Sequence, residues 1–289
     1  MTVVAGDNEA VTSRTALAPR LPSPLQEVGD ERFGRHGLRL LLKRDDLIHP
    51  DLIGNKWRKL VPNIEAAGGR PLVTFGGAYS NHLRATAAAG RLLGLPTTGV
   101  VRGQELAGRP LNPSLARCAA DGMRLHFVDR STYRHKTEPQ TLAAILRAAG
   151  AEEAYVVPEG GSNSAAVHGC LLYTLAAGLA AGQRALGVPV LRGGFLERDI
   201  QQLQERAFGA RTGSWSLDER FHFGGYARTT PELHAFAEDF ERRHGLPVEH
   251  LYVAKLLYGL VTLADEGAFP RGTTIAAVVT GRPFAGGRA

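Results

Sequence analysis

Cysteine is nearly absent from this chain of 289 residues: Cys118 and Cys170 are the only two. That is too few for a disulfide framework, and without a Cys-x-x-Cys pair there is no zinc or dithiol signature. Both read as small buried hydrophobes. Long apolar runs are missing too. The longest, over 171–182, is about twelve residues against the roughly twenty that a bilayer crossing needs, and its alanines and glycines suit a packed helix. The first 24 residues are rich in Ala, Pro and Ser and lack the basic start and apolar run of a secretory signal, so a cytoplasmic protein without a membrane partner is expected. No two glycines stand two positions apart, which excludes a dinucleotide-binding Gly-x-Gly-x-x-Gly, and no P-loop is present. The ten histidines show no His-Glu-x-x-His or other ligand spacing, so no metal site is expected.

What is present describes an ordinary globular chain. It is 44% hydrophobic and 21% charged, long enough for a core split over two lobes. The net charge of +6 and a pI near 9.6 come from scattered arginines rather than a basic stripe interleaved with aromatics. A solvated surface explains them better than a nucleic-acid partner does.

Short apolar runs alternate with helical patterns, which predicts an α/β architecture with parallel strands. Strands are expected over 38–42, 71–75, 97–102, 124–128, 154–158 and 274–280. Helices are expected over 56–67, 81–93, 113–121, 138–149, 164–186, 195–207, 231–243 and 254–266. Residues 54–158 would form a small α/β domain around one sheet of about four strands, inserted into a discontinuous larger domain of 1–53 and 159–289. Ligands commonly sit in the cleft between two such domains.

Two segments carry the chemistry. In Gly54-Asn55-Lys56-Trp57-Arg58-Lys59-Leu60, Gly54 allows a sharp turn, Asn55 can cap the helix that follows, and Lys56 is a candidate covalent lysine. In Thr74-Phe75-Gly76-Gly77-Ala78-Tyr79-Ser80-Asn81-His82, the glycines let the backbone turn tightly into a helix whose free N–H groups would face an anion. The bland alternatives are a solvated lysine and an ordinary helix cap at Ser80 or Asn81. Gly160-Gly161-Ser162-Asn163-Ser164 begins like the nucleophile elbow of a serine hydrolase, but its closing glycine is replaced by Ser164 and no histidine partner can be assigned.

These segments, with Leu42-Lys43-Arg44-Asp45-Asp46 and Pro158-Glu159-Gly160-Gly161-Ser162-Asn163, resemble the 1-aminocyclopropane-1-carboxylate deaminase/D-cysteine desulfhydrase family of pyridoxal-phosphate enzymes. The likeness runs from about Pro22 to Gly281. It implies a two-lobed, tryptophan-synthase-β-like fold (fold-type II), a small amino acid as substrate, and a homodimer. It also implies that Lys56 holds pyridoxal 5'-phosphate through an imine and that Asn81 bonds the ring hydroxyl oxygen. Ser80, Asn81 and His82 would hold the substrate carboxylate, and Ser80 would serve as nucleophile or proton carrier. Tyr226, in Gly224-Gly225-Tyr226, and Tyr252 match two tyrosines lining the family's substrate site; core packing is their alternative.

Thr280 matches the desulfhydrase hydroxyl that faces the cofactor's pyridine nitrogen. The cyclopropane-opening deaminases carry a glutamate just after the tyrosine that Tyr252 matches, where this chain has Val253. A hydroxyl leaves the ring neutral and the electron sink shallow, which suits easy loss of a β-thiolate. The expectation is therefore a lyase or deaminase of the D-cysteine desulfhydrase kind, releasing pyruvate, ammonia and sulfide. Ring opening of 1-aminocyclopropane-1-carboxylate and a catalytically impaired homologue are the alternatives.

The chain also departs from the pattern. A strand and the Gly/Ser/Thr-rich loop that grips the cofactor phosphate are expected to be deleted, since Cys170-Leu171-Leu172-Tyr173 runs straight into Thr174-Leu175-Ala176, and the large lobe is expected to be truncated accordingly. Arg282 replaces a second glycine after Thr280-Gly281. It would either obstruct the ring or supply a phosphate partner.

Overall fold

The structure is a computed structural model that describes residues 17–52, 54–161 and 175–281. Its clearest feature is a sheet of four parallel strands, β3 (Leu72–Gly76), β4 (Thr97–Arg102), β5 (Arg124–Val128) and β6 (Tyr155–Val157), ordered β5-β4-β3-β6. All five residues of β3 are buried, as a central parallel strand covered on both faces requires. On one face, Val73, Phe75, Val100, Val128 and Ile145 pack with Tyr133, which places α5 (Arg130–Arg134) and α6 (Pro139–Ala148) there. The other face is covered by α2 (Asn55–Ala67), α3 (Asn81–Leu93) and α4 (Pro113–Ala120), through Leu60, Leu72, Ala85 and Ala88 and through Leu83, Val101, Leu115 and Cys118.

Because β4 and β5 lie on one side of β3 and β6 on the other, the chain reverses direction across the sheet beside β3. A crevice opens at such a point at the carboxyl ends of the strands, where α/β proteins bind ligands. The segments that leave it here are Gly76–Ser80 after β3 and the 3-10 turn Glu159–Gly161 after β6.

A second core is built from β1 (Leu25–Val28), α1 (Glu31–Gly34), β2 (Arg39–Lys43), α8 (Pro231–His244), α9 (Val253–Asp265) and β9 (Thr274–Val278), with Phe33, Leu40, Leu42, Leu233, Phe240 and Leu257 at its centre. Strand β2 pairs antiparallel with β1 and parallel with β9. Strands β7 (Ala185–Gly187) and β8 (Trp215–Leu217) form a separate parallel pair, with α7 (Leu196–Phe208) between them in sequence.

The predicted strands and most helices are found within a few residues of their expected bounds. Three short strands, β1, β7 and β8, went unpredicted. The helix expected over 164–186 needs correction: of its described part only 175–177 is helical, and β7 occupies 185–187. Ala/Gly composition suited a helix, but Gly182 adopts φ 82° and pairing with β8 decides the rest. The expected deletion at Cys170–Thr174, the Ser162-Asn163-Ser164 segment and Arg282 lie outside the described residues. Cys118 is fully buried as expected, and burial pushes its thiol up to about 11. No described helix is long and apolar enough to cross a membrane.

Candidate active site

Lys56 lies in the first turn of α2, half-buried. The residue before the helix is Gly54, at φ 62° and ψ −131°, and a Cβ there would lie 1.8 Å from the Thr280 carbonyl oxygen. Only glycine permits this crossing of two backbones. The same contact sets Thr280 beside the turn that carries Lys56. Asn55, expected as a cap, is instead the first helical residue, and Gly54 occupies the cap position without a side-chain bond.

The Arg44-Asp45-Asp46 segment clamps this junction. Buried Asp45 accepts from Ser23 Oγ at 2.6 Å and from Arg58 Nε and Nη2 at 2.9 and 3.1 Å. Asp46 N donates to Val279 O at 2.9 Å, and Val279 N donates to Lys43 O at 2.9 Å. One short segment thus fixes both α2 and the end of β9.

Beyond β3, Gly76 must lack a side chain because a Cβ there would meet Ser80 Cβ and Oγ at 2.7 Å. Ser80 N donates to Gly77 O at 3.0 Å, and Ser80 Oγ caps α3 by accepting from Leu83 N at 3.2 Å. Capping occupies one of the oxygen's two lone pairs and leaves its proton available to donate. Asn112, which caps α4, also donates to Ala78 O at 3.2 Å and so anchors the turn from outside. The N–H groups of Asn81 and His82 fall in the first turn of α3, where a helix supplies no acceptor, and they favour an anion there.

The side chain of Arg84 donates to Asn81 Oδ1. Arginine cannot accept, so the Asn81 amide must offer its oxygen to Arg84, and its two N–H donors remain to meet another acceptor. The His82 ring, by contrast, points into the core. It is 2% exposed, with Nε2 2.8 Å from Thr74 Oγ1, which itself donates to Val157 O at 2.8 Å. Nε2 therefore carries the proton, and Nδ1 has no hydrogen-bond partner. Burial, then the charges of Lys56 and Lys59, hold the imidazole well below its ordinary range, so the ring is neutral. Of His82, the backbone N–H rather than the ring can face a carboxylate.

Tyr226 and Tyr252 come from the other core. Their rings are tilted against each other at 6.4 Å and are 50% and 37% exposed, so each is packed on one side and reachable on the other. Tyr252 precedes α9, where Glu249 accepts from Leu251 N at 2.5 Å and from Tyr252 N at 2.8 Å. Fully buried Lys255 donates from Nζ to His222 O at 2.9 Å and Gly225 O at 3.1 Å, tying the loop that carries Tyr226 to α9. That loop is strained: Phe223 and Ala227 both sit in the left-handed region, at φ 51° and 57°. Val253 is 2% exposed within the large apolar core, so no carboxylate faces the site from that position.

Sequence reasoning missed Arg84, Lys255 and Glu249. Arg84 could have been found by its three-residue spacing from Asn81 on a helix; the other two carry no motif. Among the described residues, no group of three or more His, Cys, Asp or Glu side chains is arranged to hold a metal ion.

The residues fit pyridoxal phosphate on one specific count. The Arg84-oriented Asn81 amide presents donors, which a phenolic oxygen would accept. Lys56, on the neighbouring helix, and Thr280, set beside its turn by Gly54, supply an amine and a hydroxyl.

No protein-family model matches the chain. A Thermotoga maritima protein named "Putative 1-aminocyclopropane-1-carboxylate deaminase" is 34% identical over 153 residues, 51% of this chain and 47% of that protein. A Pyrococcus horikoshii protein of the same name is 26% identical over 288 residues, 86% of this chain and 83% of that one. The D-cysteine desulfhydrase of Yersinia pestis is 33% identical over 169 residues, 55% of this chain and 49% of that one. The Thermotoga and Yersinia alignments thus span about half of each relative's length. Among solved structures, a homologue of 1-aminocyclopropane-1-carboxylate deaminase superposes with a TM-score of 0.72 at 24% identity, covering 93% of this chain and 94% of that one. The likeness in fold extends over nearly the whole of both chains.

Proposed function

We propose that this chain, a homologue of the 1-aminocyclopropane-1-carboxylate deaminases and D-cysteine desulfhydrases that shares their two-lobed fold-type II architecture, is a pyridoxal-phosphate-dependent lyase acting on a small amino acid. The observation that carries this reading is the contact of Gly54 with the Thr280 backbone, which draws a lysine and a hydroxyl residue together at one junction. Bound at Lys56, the cofactor would supply the electron sink for breaking a bond at Cα. Asn81 would hold its ring oxygen, and Thr280 would serve the ring nitrogen.

The protein's own groups do the rest. The first turn of α3 binds the substrate carboxylate through the Asn81 and His82 N–H groups, and Ser80, held by its cap bond, supplies or relays a proton from its hydroxyl. Tyr226 and Tyr252 flank the substrate's far end. Burial, then Tyr226, push the Tyr252 phenol up, so at neutral pH it is a proton donor able to meet a departing sulfur rather than a base.

The reaction preferred is α,β-elimination, with D-cysteine as the model substrate. The Cα–H proton passes to a base and the Cβ–S electron pair leaves with sulfur as hydrogen sulfide. The released three-carbon enamine tautomerises and takes up one water to give pyruvate and ammonium. A neutral hydroxyl at Thr280 and an apolar Val253 support elimination over ring opening. The reading includes a cytoplasmic homodimer and a small domain over 54–158.

Incubation with D-cysteine and added cofactor tests it: pyruvate and sulfide should form in equal amounts. Release of 2-oxobutyrate from 1-aminocyclopropane-1-carboxylate, without sulfide from D-cysteine, would reverse the preference. The absence of both products would remove the lyase reading.

A further inference from the structure

One cluster beside the Gly76–Ser80 turn plays no part in the account above. In the register of the four-stranded sheet Gly76 pairs with Val101, so Gly77 and Arg102 leave their strands side by side. The Arg102 guanidinium lies 3.7 Å from where a Cβ of Gly77 would be, so the missing side chain leaves room next to it. Arg102 is exposed, makes no ion pair among the described residues, and has its Cζ 5.6 Å from the centroid of the Tyr133 ring. Lys136 Nζ stands 4.3 Å from the same centroid and 3.0 Å from Glu159 Oε2.

Tyr133 itself is 3% exposed, and its hydroxyl has no hydrogen-bond partner. A buried donor left unmade is costly, and in a native site it calls for an explanation such as a ligand. Burial, then the nearby Glu159 carboxylate, push this phenol up, with Arg102 opposing, so the hydroxyl keeps its proton. Two cations and one carboxylate leave the cluster with an excess positive charge next to an orphan donor. The first turn of α3 already supplies N–H groups for an α-carboxylate, so this charge is surplus to that task.

We propose that Arg102, Tyr133 and Lys136 form a second anion-binding subsite, at the carboxyl edge of β3 and β4, that takes a negatively charged side-chain group of the amino-acid substrate. The group is a carboxylate, sulfonate or phosphate, which the planar guanidinium can hold through two parallel bonds in the space beside Gly77. The Tyr133 hydroxyl donates a further bond, while Glu159 holds Lys136 against the ring. This inference rests on the reading of the site as an amino-acid site and adds to it a preference for amino acids with an acidic side chain over neutral ones of the same shape.

The test is calorimetric titration of the full-length protein, with cofactor present, using racemic aspartate and racemic asparagine, which share a shape and differ in charge. Aspartate should bind at least about tenfold more tightly, the discrimination a charge-assisted contact supplies. Arg102→Gln should bring the ratio of the two affinities close to one, Arg102→Lys should leave it intermediate, and Tyr133→Phe should reduce it about threefold. A melting temperature for each variant separates misfolding from lost recognition.

A wild-type ratio near one, or a ratio unchanged in Arg102→Gln, overturns the proposal. Equal loss of both ligands in Arg102→Gln also overturns it, because Arg102 would then serve the α-carboxylate. The experiment needs no turnover. Aspartate preference in a protein that never forms pyruvate would leave the subsite standing and remove the lyase reading, whereas D-cysteine turnover without aspartate preference would do the reverse.

Discussion

The half of the site around Lys56 and Ser80 and the half around Tyr226 and Tyr252 are built in opposite ways. The first presents mainly backbone: Gly54 and Gly76 allow contacts that a Cβ would forbid, and strand ends and helix starts offer N–H groups, with side chains such as Asp45 and Asn112 bracing the turns from outside. The second is pinned by buried polar side chains, Lys255 on two carbonyls and Glu249 on two N–H groups, and it tolerates left-handed Phe223 and Ala227. A site made of backbone is rigid at low cost, because its hydrogen bonds are those of the fold. A site made of buried pins pays for its shape in strain and desolvation, and it can be loosened one residue at a time.

The difference can be broken most sharply at Gly54. In Gly54→Ala, a Cβ at 1.8 Å from the Thr280 oxygen and a positive φ should together cost about 3 kcal/mol or more and abolish cofactor binding. Thermal melts and the visible absorption of the loaded protein read both. In the other half, Lys255→Met keeps the packing but leaves the His222 and Gly225 carbonyls without their donor, at a cost of about 2–3 kcal/mol. Cofactor binding should survive while kcat/KM falls; equal loss of both would show that the halves are not independent.

Arg84 tests whether the backbone-built half needs any side-chain pin. Arg84→Met frees the Asn81 amide to flip, and cofactor affinity should weaken about tenfold. The same loss should follow from Asn81→Ala, with no further loss in the double variant; additive effects would break the link.

The smallest effect concerns acid. Burial works to raise the Asp30 pKa, but Arg32, through side chain and backbone, and His244 outweigh it and draw the carboxyl down from 3.8 to about 2. A depressed carboxyl stabilises the fold fully above pH ~4 and loses that contribution as pH falls toward ~2. Asp30 joins α1 to α8, so the large core should weaken first in acid, by about 1 kcal/mol once solvent screening is counted. Asp30→Asn should flatten the pH dependence of the melting temperature between those limits.

This contrast also explains what was legible in the sequence. The four-stranded sheet declared itself through continuous apolar runs and Gly-Gly turns, and the expected strand at 97–102 and helix at 81–93 match β4 and α3 residue for residue. Lys56 and the Ser80 turn could be read because glycine spacing is local. Lys255 could not: it donates to carbonyls 30 and 33 residues away, and nothing in its neighbours announces a buried ammonium. The burial of the His82 ring was hidden for the same reason, since it depends on Thr74 and Val157 meeting across two strands. The strand at 185–187 was misread because its partner, β8, is thirty residues later and composition favoured a helix.

The most direct test of the account is chemical. The protein loaded with pyridoxal phosphate, reduced with borohydride and digested, should yield a single modified peptide carrying a pyridoxyl group on the Lys56 side-chain nitrogen, absent from Lys56→Ala. An unmodified Lys56 peptide, or the label on Lys59 or Lys255 instead, would contradict it.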